Sequence, residues 1–77
     1  EVVHSTFQPG ARRQEPMSRP TQEVVWMVSG KLDVWLDDDL FTVAAGDSFR
    51  IREQTYRWAN PYDQPAVAIW VISPPVY

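Results

Sequence analysis

Between residues 23 and 51, short apolar segments alternate with turns, and this spacing constrains the fold more than any other feature of the chain. Gly30 ends the first segment, Asp37-Asp38-Asp39 follow the second, and Gly46-Asp47 follow the third. Segments of this length are typical of strands, because a helix with its own apolar face needs about ten to twelve residues. Short connections make successive strands antiparallel. The sequence therefore predicts an all-β domain.

Alternation within the segments separates a core face from a solvent face, because successive side chains of a strand point to opposite sides. In residues 31–36, for example, Leu32 and Val34 lie on one face and Asp33 on the other. Residues 11–22 contain two prolines and no apolar period, so an irregular or edge segment is predicted there. The side chains predicted to face the lumen are Leu32, Val34, Leu36, Phe41, Val43, Phe49, Ile51 and Trp58.

Two segments, residues 23–28 and 66–72, are apolar on both faces. One face of each segment would meet the core, and the opposite face would not. In residues 23–28 that opposite face carries Val24, Trp26 and Val28. Such a patch on a monomer would be exposed to water. We therefore expect a homodimer built on these strands around a two-fold axis.

Composition excludes several classes of function. The 77 residues form one domain, 1–77, and include no cysteine, so the chain has neither a disulfide nor a thiolate ligand, as expected for a cytoplasmic protein. A net charge of −3 with scattered Lys and Arg argues against direct nucleic-acid binding. No apolar run reaches the ~18–20 residues of a membrane span. Because the chain opens on Glu1 without a methionine, we expect it to be the C-terminal part of a longer bacterial protein.

Four short motifs, taken in chain order, resemble those of the cupin superfamily. More narrowly, they resemble the C-terminal cupin domain of bacterial transcriptional regulators that carry a helix-turn-helix of the XRE type. The resemblance implies a cupin-type double-stranded β-helix, a jelly-roll barrel of about eight short antiparallel strands. The motifs are Phe7-Gln8-Pro9-Gly10, Glu23 with Gly30, Ala45-Gly46-Asp47-Ser48, and Arg57-Trp58-Ala59-Asn60-Pro61.

The chain departs from this family at the metal site. Metal-binding cupins supply two histidines before the glutamate and a third in the second motif. Met17 and Arg19 stand at the first two of these positions, and Tyr56 stands at the third, so Glu23 alone remains. A transition metal needs three or four donors in one shell, and arginine cannot ligate. The only histidine, His4, lies in a different strand. We therefore expect no bound metal and no other cofactor.

The altered pocket has two interpretations. In the cupin fold Glu23 would point into an apolar lumen, where a carboxylate must be paired or take up a proton. Arg19 would then either neutralise Glu23 or bind the carboxylate or phosphate of a small molecule bidentately. Tyr56 and Trp58 would stack on the apolar part of that ligand, and Arg52 would lie near the mouth of the pocket. The two interpretations are compatible if the ligand exchanges for Glu23.

The resemblance favours a metal-free effector-sensing or dimerisation domain of a transcriptional regulator, with a small anionic metabolite as its ligand. DNA would be contacted only through a helix-turn-helix domain preceding Glu1. The alternative is a stand-alone small cupin, either a small-molecule binding protein or an isomerase or dioxygenase-like enzyme. For catalysis the candidates are Glu23 as base and Tyr56 as acid. Without a nucleophile or a second lumen carboxylate, an enzyme is the less favoured prediction.

Overall fold

The computed structural model describes residues 1–18 and 20–73, which form eight β-strands. This confirms the predicted all-β fold of eight short strands. Within these residues there is no α-helix, and hence none with the length and apolarity needed to span a bilayer. The strands are β1 (Val2–Phe7), β2 (Arg12–Met17), β3 (Gln22–Ser29), β4 (Lys31–Leu36), β5 (Asp39–Ala44), β6 (Ser48–Arg52), β7 (Tyr56–Ala59) and β8 (Ala66–Ser73).

The strands form two four-stranded sheets. Sheet 1 has the order β1-β8-β3-β6 and sheet 2 the order β2-β7-β4-β5. Every strand pairing is antiparallel. The chain crosses repeatedly from one sheet to the other, as in a jelly roll. Two pairs of edge strands therefore face each other, β1 with β2 on one side of the molecule and β5 with β6 on the other.

Side chains from the inner faces of both sheets fill the core. Of the predicted lumen residues, four are buried, and Leu36, Phe49 and Trp58 are partly buried against them. The buried apolar residues are Phe7, Val25, Met27, Leu32, Val34, Val43, Ile51, Tyr56, Ala66 and Ala68.

Phe41 faces inward, as predicted, but it is not buried. Phe41 is the cross-strand neighbour of Val34 and so shares the inner face of sheet 2, but 49% of its surface is exposed. The cause is the position of β5 at the edge of its sheet, beside the open side between β5 and β6. Alternation assigns a residue to a face, and burial also requires a layer that covers that face.

The segment predicted to be irregular or an edge contains β2, which is an edge strand of sheet 2. Its residues are mostly exposed, and its register with β7 shifts between Arg13 and Met17. Pro16 fits there because an edge strand leaves one row of backbone groups without a ladder partner.

Asn60, which follows β7, links the end of β7 to the end of β1 through hydrogen bonds. Its side chain is 1% exposed, and its Nδ2 donates to the carbonyl oxygens of Phe7 and Gln64, both at 2.9 Å. Its Oδ1 accepts from the backbone N of Tyr62 at 3.1 Å. Its backbone exchanges further bonds with the β1–β2 turn, to Gly10 and Ala11, each at 2.8 Å. These bonds hold β1 against β7.

Candidate functional site

A cavity of about 370 Å³ lies between the sheets, on the side where β1 and β2 form the edges. Five strands contribute side chains to it, and the alternation of each strand points these side chains inward. Its lining consists of Glu1, Val3, Ser5, Phe7, Met17, Glu23, Tyr56, Trp58, Trp70 and Ile72.

Strand register explains how residues far apart in the sequence meet in this cavity. Met17 of β2 is the direct cross-strand neighbour of Tyr56 of β7. On the opposite wall, Glu23 of β3 pairs with Ile72 of β8. Trp70, two residues before Ile72, lies on the same inward side of β8. Three positions that the family resemblance assigns to metal ligands, those of Met17, Glu23 and Tyr56, therefore line one cavity.

Two aromatic pairs stiffen the walls. Phe7 and Trp58 meet edge-to-face, with ring centroids 4.5 Å apart and planes at 68°. Tyr56 and Trp70 lie 6.1 Å apart at 40°. The edge-to-face pair has a favourable ring geometry, and the apolar surfaces of all four rings suit contact with a ring or short hydrocarbon of a ligand.

Glu1, Ser5, Glu23 and Tyr56 are the polar residues of the lining, and the indole of Trp70 adds a donor. Glu23 is 1% exposed, so its carboxylate is removed from water and requires an opposite charge, hydrogen bonds or a proton. The indole Nε1 of Trp70 is a buried donor that has no acceptor among the described residues. Burying this N–H without a hydrogen bond costs about 1–3 kcal/mol, and a ligand oxygen that accepts from it would offset that cost.

The donors around Glu23 do not fit a transition metal. The neighbouring side chains at the family's ligand positions are a thioether, from Met17, and a phenol, from Tyr56. No group of three His, Cys, Asp or Glu residues able to hold a metal ion occurs in residues 1–18 and 20–73. His4 is exposed and pairs with Ile69 on the outer face of sheet 1, away from the cavity. A three- or four-donor shell for a first-row metal is therefore not available from the described part of the chain.

The structure brings together three of the five predicted site residues, Glu23, Tyr56 and Trp58. Arg52 is exposed at the end of β6 beside Gln22 and is not part of the lining, so its role remains a prediction. Arg19 lies outside the described residues. The sequence analysis did not include Phe7 and Trp70 in the site. Alternation in β1 could have indicated Phe7, whereas Trp70 lies in a strand that is apolar on both faces.

A second cavity, of about 390 Å³, opens on the opposite side, between β5 and β6. Its walls are apolar and include Phe41 and Phe49. Asp47 is its one titratable lining residue, and its Oδ2 accepts a hydrogen bond from the backbone N of Ala44 at 2.9 Å. The cavity beside Glu23 is therefore the stronger candidate for a functional site.

Comparison with known proteins agrees with this architecture. Residues 3–72 match the family model Cupin_2, described as a cupin domain. None of the curated proteins compared with the sequence matches it. Among solved structures, a cupin protein from Bacteroides fragilis is 21% identical, with a TM-score of 0.85 over 95% of this chain and 64% of that one.

Two further structures carry more specific descriptions. The Cupin_2 domain of an XRE family transcriptional regulator from Enterobacter cloacae is 21% identical, with a TM-score of 0.85 over 97% of this chain and 81% of that one. A cupin-superfamily sugar phosphate isomerase from Silicibacter pomeroyi is 20% identical, with a TM-score of 0.81 over 96% of this chain and 50% of that one. At these identities the likeness concerns the fold.

Proposed function

Because the chain belongs to the cupin family, we propose that it is the effector-sensing domain of a bacterial transcriptional regulator and that it works without a bound metal. The observation that carries this proposal is the cavity itself. It combines a buried carboxylate with four aromatic side chains, and the described residues around it do not supply a metal shell. These features suit reversible binding of a small molecule better than metal-dependent chemistry.

The size and lining of the cavity limit the ligand. A volume of about 370 Å³ is at the lower end of the range for small-molecule sites, about 300–1,000 Å³. The ligand would be small, with a flat or apolar part against Tyr56 and Trp58. From the sequence we expect Arg19, which lies outside the described residues, to bind the anionic group of the ligand, a carboxylate or phosphate.

The regulator role is supported by the likeness to the Enterobacter cloacae domain, which extends over nearly all of this chain. Contact with DNA would come from a helix-turn-helix domain on the N-terminal side of Glu1, since the domain itself has a net charge of −3. The full reading frame tests this part directly. A helix-turn-helix encoded upstream of Glu1 would support the role, and a frame that starts within a few residues of Glu1 would refute it.

Thermal-shift screening tests the sensing role. The panel consists of inorganic phosphate, aliphatic and aromatic carboxylates, and sugar phosphates. A true ligand at 100 times its Kd stabilises the folded state by about 2.7 kcal/mol. We expect Arg19→Ala to abolish the shift and Arg12→Ala, which alters an exposed arginine on the outside of β2, to retain it. If no compound shifts the wild type, the cavity is structural and the sensing role is wrong.

A stand-alone enzyme is the second candidate, and one observation favours it. The carboxylate of Glu23 and the phenol of Tyr56 line the same cavity and could serve as base and acid in a proton-transfer isomerisation. The Silicibacter pomeroyi isomerase shares the fold. Turnover of sugar phosphates that is lost in both Glu23→Gln and Tyr56→Phe would favour this candidate over the sensor.

A further inference from the structure

The second cavity, between β5 and β6, is separate from the cavity beside Glu23, and among the described residues the two share no lining side chain. Its volume of about 390 Å³ is within the range of small-molecule sites, about 300–1,000 Å³. An apolar cavity of about 150 Å³ is enough to hold a benzene ring. The second cavity therefore has room for one ring with a short side chain.

Apolar side chains form most of its lining. Val34 and Leu36 extend inward from β4, and Val34 is the cross-strand neighbour of Phe41 on β5. Phe49 of β6 is half-buried, whereas Phe41 is 49% exposed although it lies on the inner face of its sheet. A ligand ring between β5 and β6 would cover apolar surface of Phe41 that is now in contact with water, and such burial is favourable.

One carboxylate lies beside this apolar space, next to the turn that joins β5 to β6. The backbone N of Asp47 donates to Ala44 O and its backbone O accepts from Met27 N, each at 2.9 Å. Its Oδ2 accepts from the backbone N of Ala44 at 2.9 Å. These three bonds fix the position of the carboxylate. Its Oδ1 accepts no hydrogen bond from the described residues and is available to a ligand.

The charge of the lining selects between classes of ligand. Among the described residues that line this cavity there is no Lys, Arg or His to accompany Asp47. A ligand carboxylate or phosphate would meet a like charge there, whereas a protonated amine would donate a charge-assisted hydrogen bond to Asp47. The faces of phenylalanine rings also attract ammonium groups.

We propose that the second cavity binds a small aromatic amine, with the ring between Phe41 and Phe49 and the ammonium group on the carboxylate of Asp47. Asp47 and Phe49 are two residues apart and both line the cavity, so one small molecule can contact both. This inference goes beyond the proposed function, because it does not depend on Glu23 or Arg19. It also requires a ligand of the opposite charge, so either proposal can fail without the other.

A nuclear magnetic resonance titration of the ¹⁵N-labelled chain tests the proposal with three matched probes, 2-phenylethylamine, 2-phenylethanol and 3-phenylpropanoate. We expect the amine to shift the amide resonances of residues 41–49 with a Kd on the order of 1 mM. The neutral alcohol should bind about tenfold more weakly, because it lacks the charge-assisted hydrogen bond. The anion should leave these resonances unchanged.

Asp47→Asn separates the charge from the structure of the turn, because its amide oxygen can still accept from the backbone N of Ala44. It should weaken binding of the amine about tenfold and leave binding of the alcohol unchanged. Asp38→Asn is the matched control, since it removes an exposed carboxylate from the β4–β5 turn, outside the lining. Phe41→Ala should weaken binding of both probes, because it removes one of the two rings.

The dispersion of the spectrum shows whether each variant is folded, and Phe41→Ala carries the test if Asp47→Asn is not. Equal amine affinities in the wild type, Asp47→Asn and Phe41→Ala would overturn the proposal. Amine-induced shifts at Glu23 and Tyr56, with none over residues 41–49, would place the amine in the first cavity and also overturn it. The same conclusion follows if the amine at millimolar concentrations shifts no resonance of the wild type.

Discussion

The side-chain amide of Asn60 donates a hydrogen bond of 2.9 Å to the main-chain oxygen of Phe7, which joins the end of β7 to the end of β1. The same two strands contribute Trp58 and Phe7 to the cavity, where the rings meet edge-to-face. Asn60 therefore holds in place the strand ends that carry Trp58 and Phe7, although it does not line the cavity itself.

We expect Asn60→Ala to destabilise the protein by about 2–4 kcal/mol, because it removes three side-chain hydrogen bonds and leaves buried backbone groups unsatisfied. That loss is comparable with the ~3–5 kcal/mol that a core of this size supplies. Urea unfolding followed by circular dichroism measures it. Gln64→Ala is the control, since Gln64 contributes only its carbonyl oxygen to this network. Equal unfolding midpoints for the two variants would refute the supporting role of Asn60.

Gly30 connects β3 to β4 at φ +77°, and a Cβ placed on it would lie 2.8 Å from the Cα of Ala66. Gly30→Ala therefore combines a strained backbone with a clash against β8. Gly46, at φ +90°, has no atom within 4 Å of such a Cβ, so Gly46→Ala should show only the backbone cost of about 1–3 kcal/mol. We expect Gly30→Ala to have the lower unfolding midpoint. The reverse order would contradict the close approach of Pro65-Ala66 to this turn.

Purified protein should contain no stoichiometric Fe, Mn, Ni or Zn, even after exposure to each metal and removal of the excess. The reason is the donor set, in which Met17 and Tyr56 stand beside Glu23 at the family's ligand positions. Elemental analysis by mass spectrometry measures the metal content. As a control, a Met17→His, Tyr56→His double variant adds imidazole donors and should raise the content. About one metal per wild-type chain would contradict the prediction and favour the enzyme.

The phenol of Tyr62 donates a hydrogen bond of 2.7 Å to Asp33 Oδ1. This bond raises the pKa of Tyr62 above its ordinary value of 10.0, because a carboxylate accepts from the neutral phenol and repels the phenolate. The bond stabilises the fold below pH 10.0, and its contribution is lost as the pH rises through the higher pKa of the folded state.

Asp33→Asn should therefore lower the pH at which Tyr62 ionises, measured from the ultraviolet absorbance of phenolate. Asp63→Asn, which removes a neighbouring exposed carboxylate, is the control and should change the titration little. An unchanged titration in Asp33→Asn would show that the hydrogen bond does not form in solution.

The fold was predictable because its strands are short, some of them alternate cleanly, and turn residues separate most of them. Leu32 and Val34 illustrate this, since their alternation with Asp33 is enough to place them in the core. Phe41 shows what alternation omits, namely which strand ends up at the edge of a sheet. Sheet order depends on long-range pairing, which local pattern does not encode.

The site was predictable only where spacing fixed a position. Glu23 and Tyr56 could be placed because the resemblance to the cupin motifs, aligned on Glu23 with Gly30 and on Asn60, assigns them to the site. Trp70 could not, because β8 is apolar on both sides and its inward face is decided by its register with β3. Arg52 was expected near the mouth of the pocket, yet the strand carries that side chain to the surface.

Sheet 1 is a single layer, so the same strands form both its inner and its outer surface. Trp70 contributes to the cavity and its neighbour Val71 to the exposed outer face of sheet 1, so a backbone shift on one side moves the other as well. If the cavity binds a ligand and the homodimer expected from the sequence forms on that outer face, linkage requires reciprocity: a ligand that tightens or loosens the dimer must bind the dimer more or less tightly than the monomer by the same factor. The measured affinity of the cavity would then depend on the concentration of the protein, and the cell could tune the response by how much of the chain it makes.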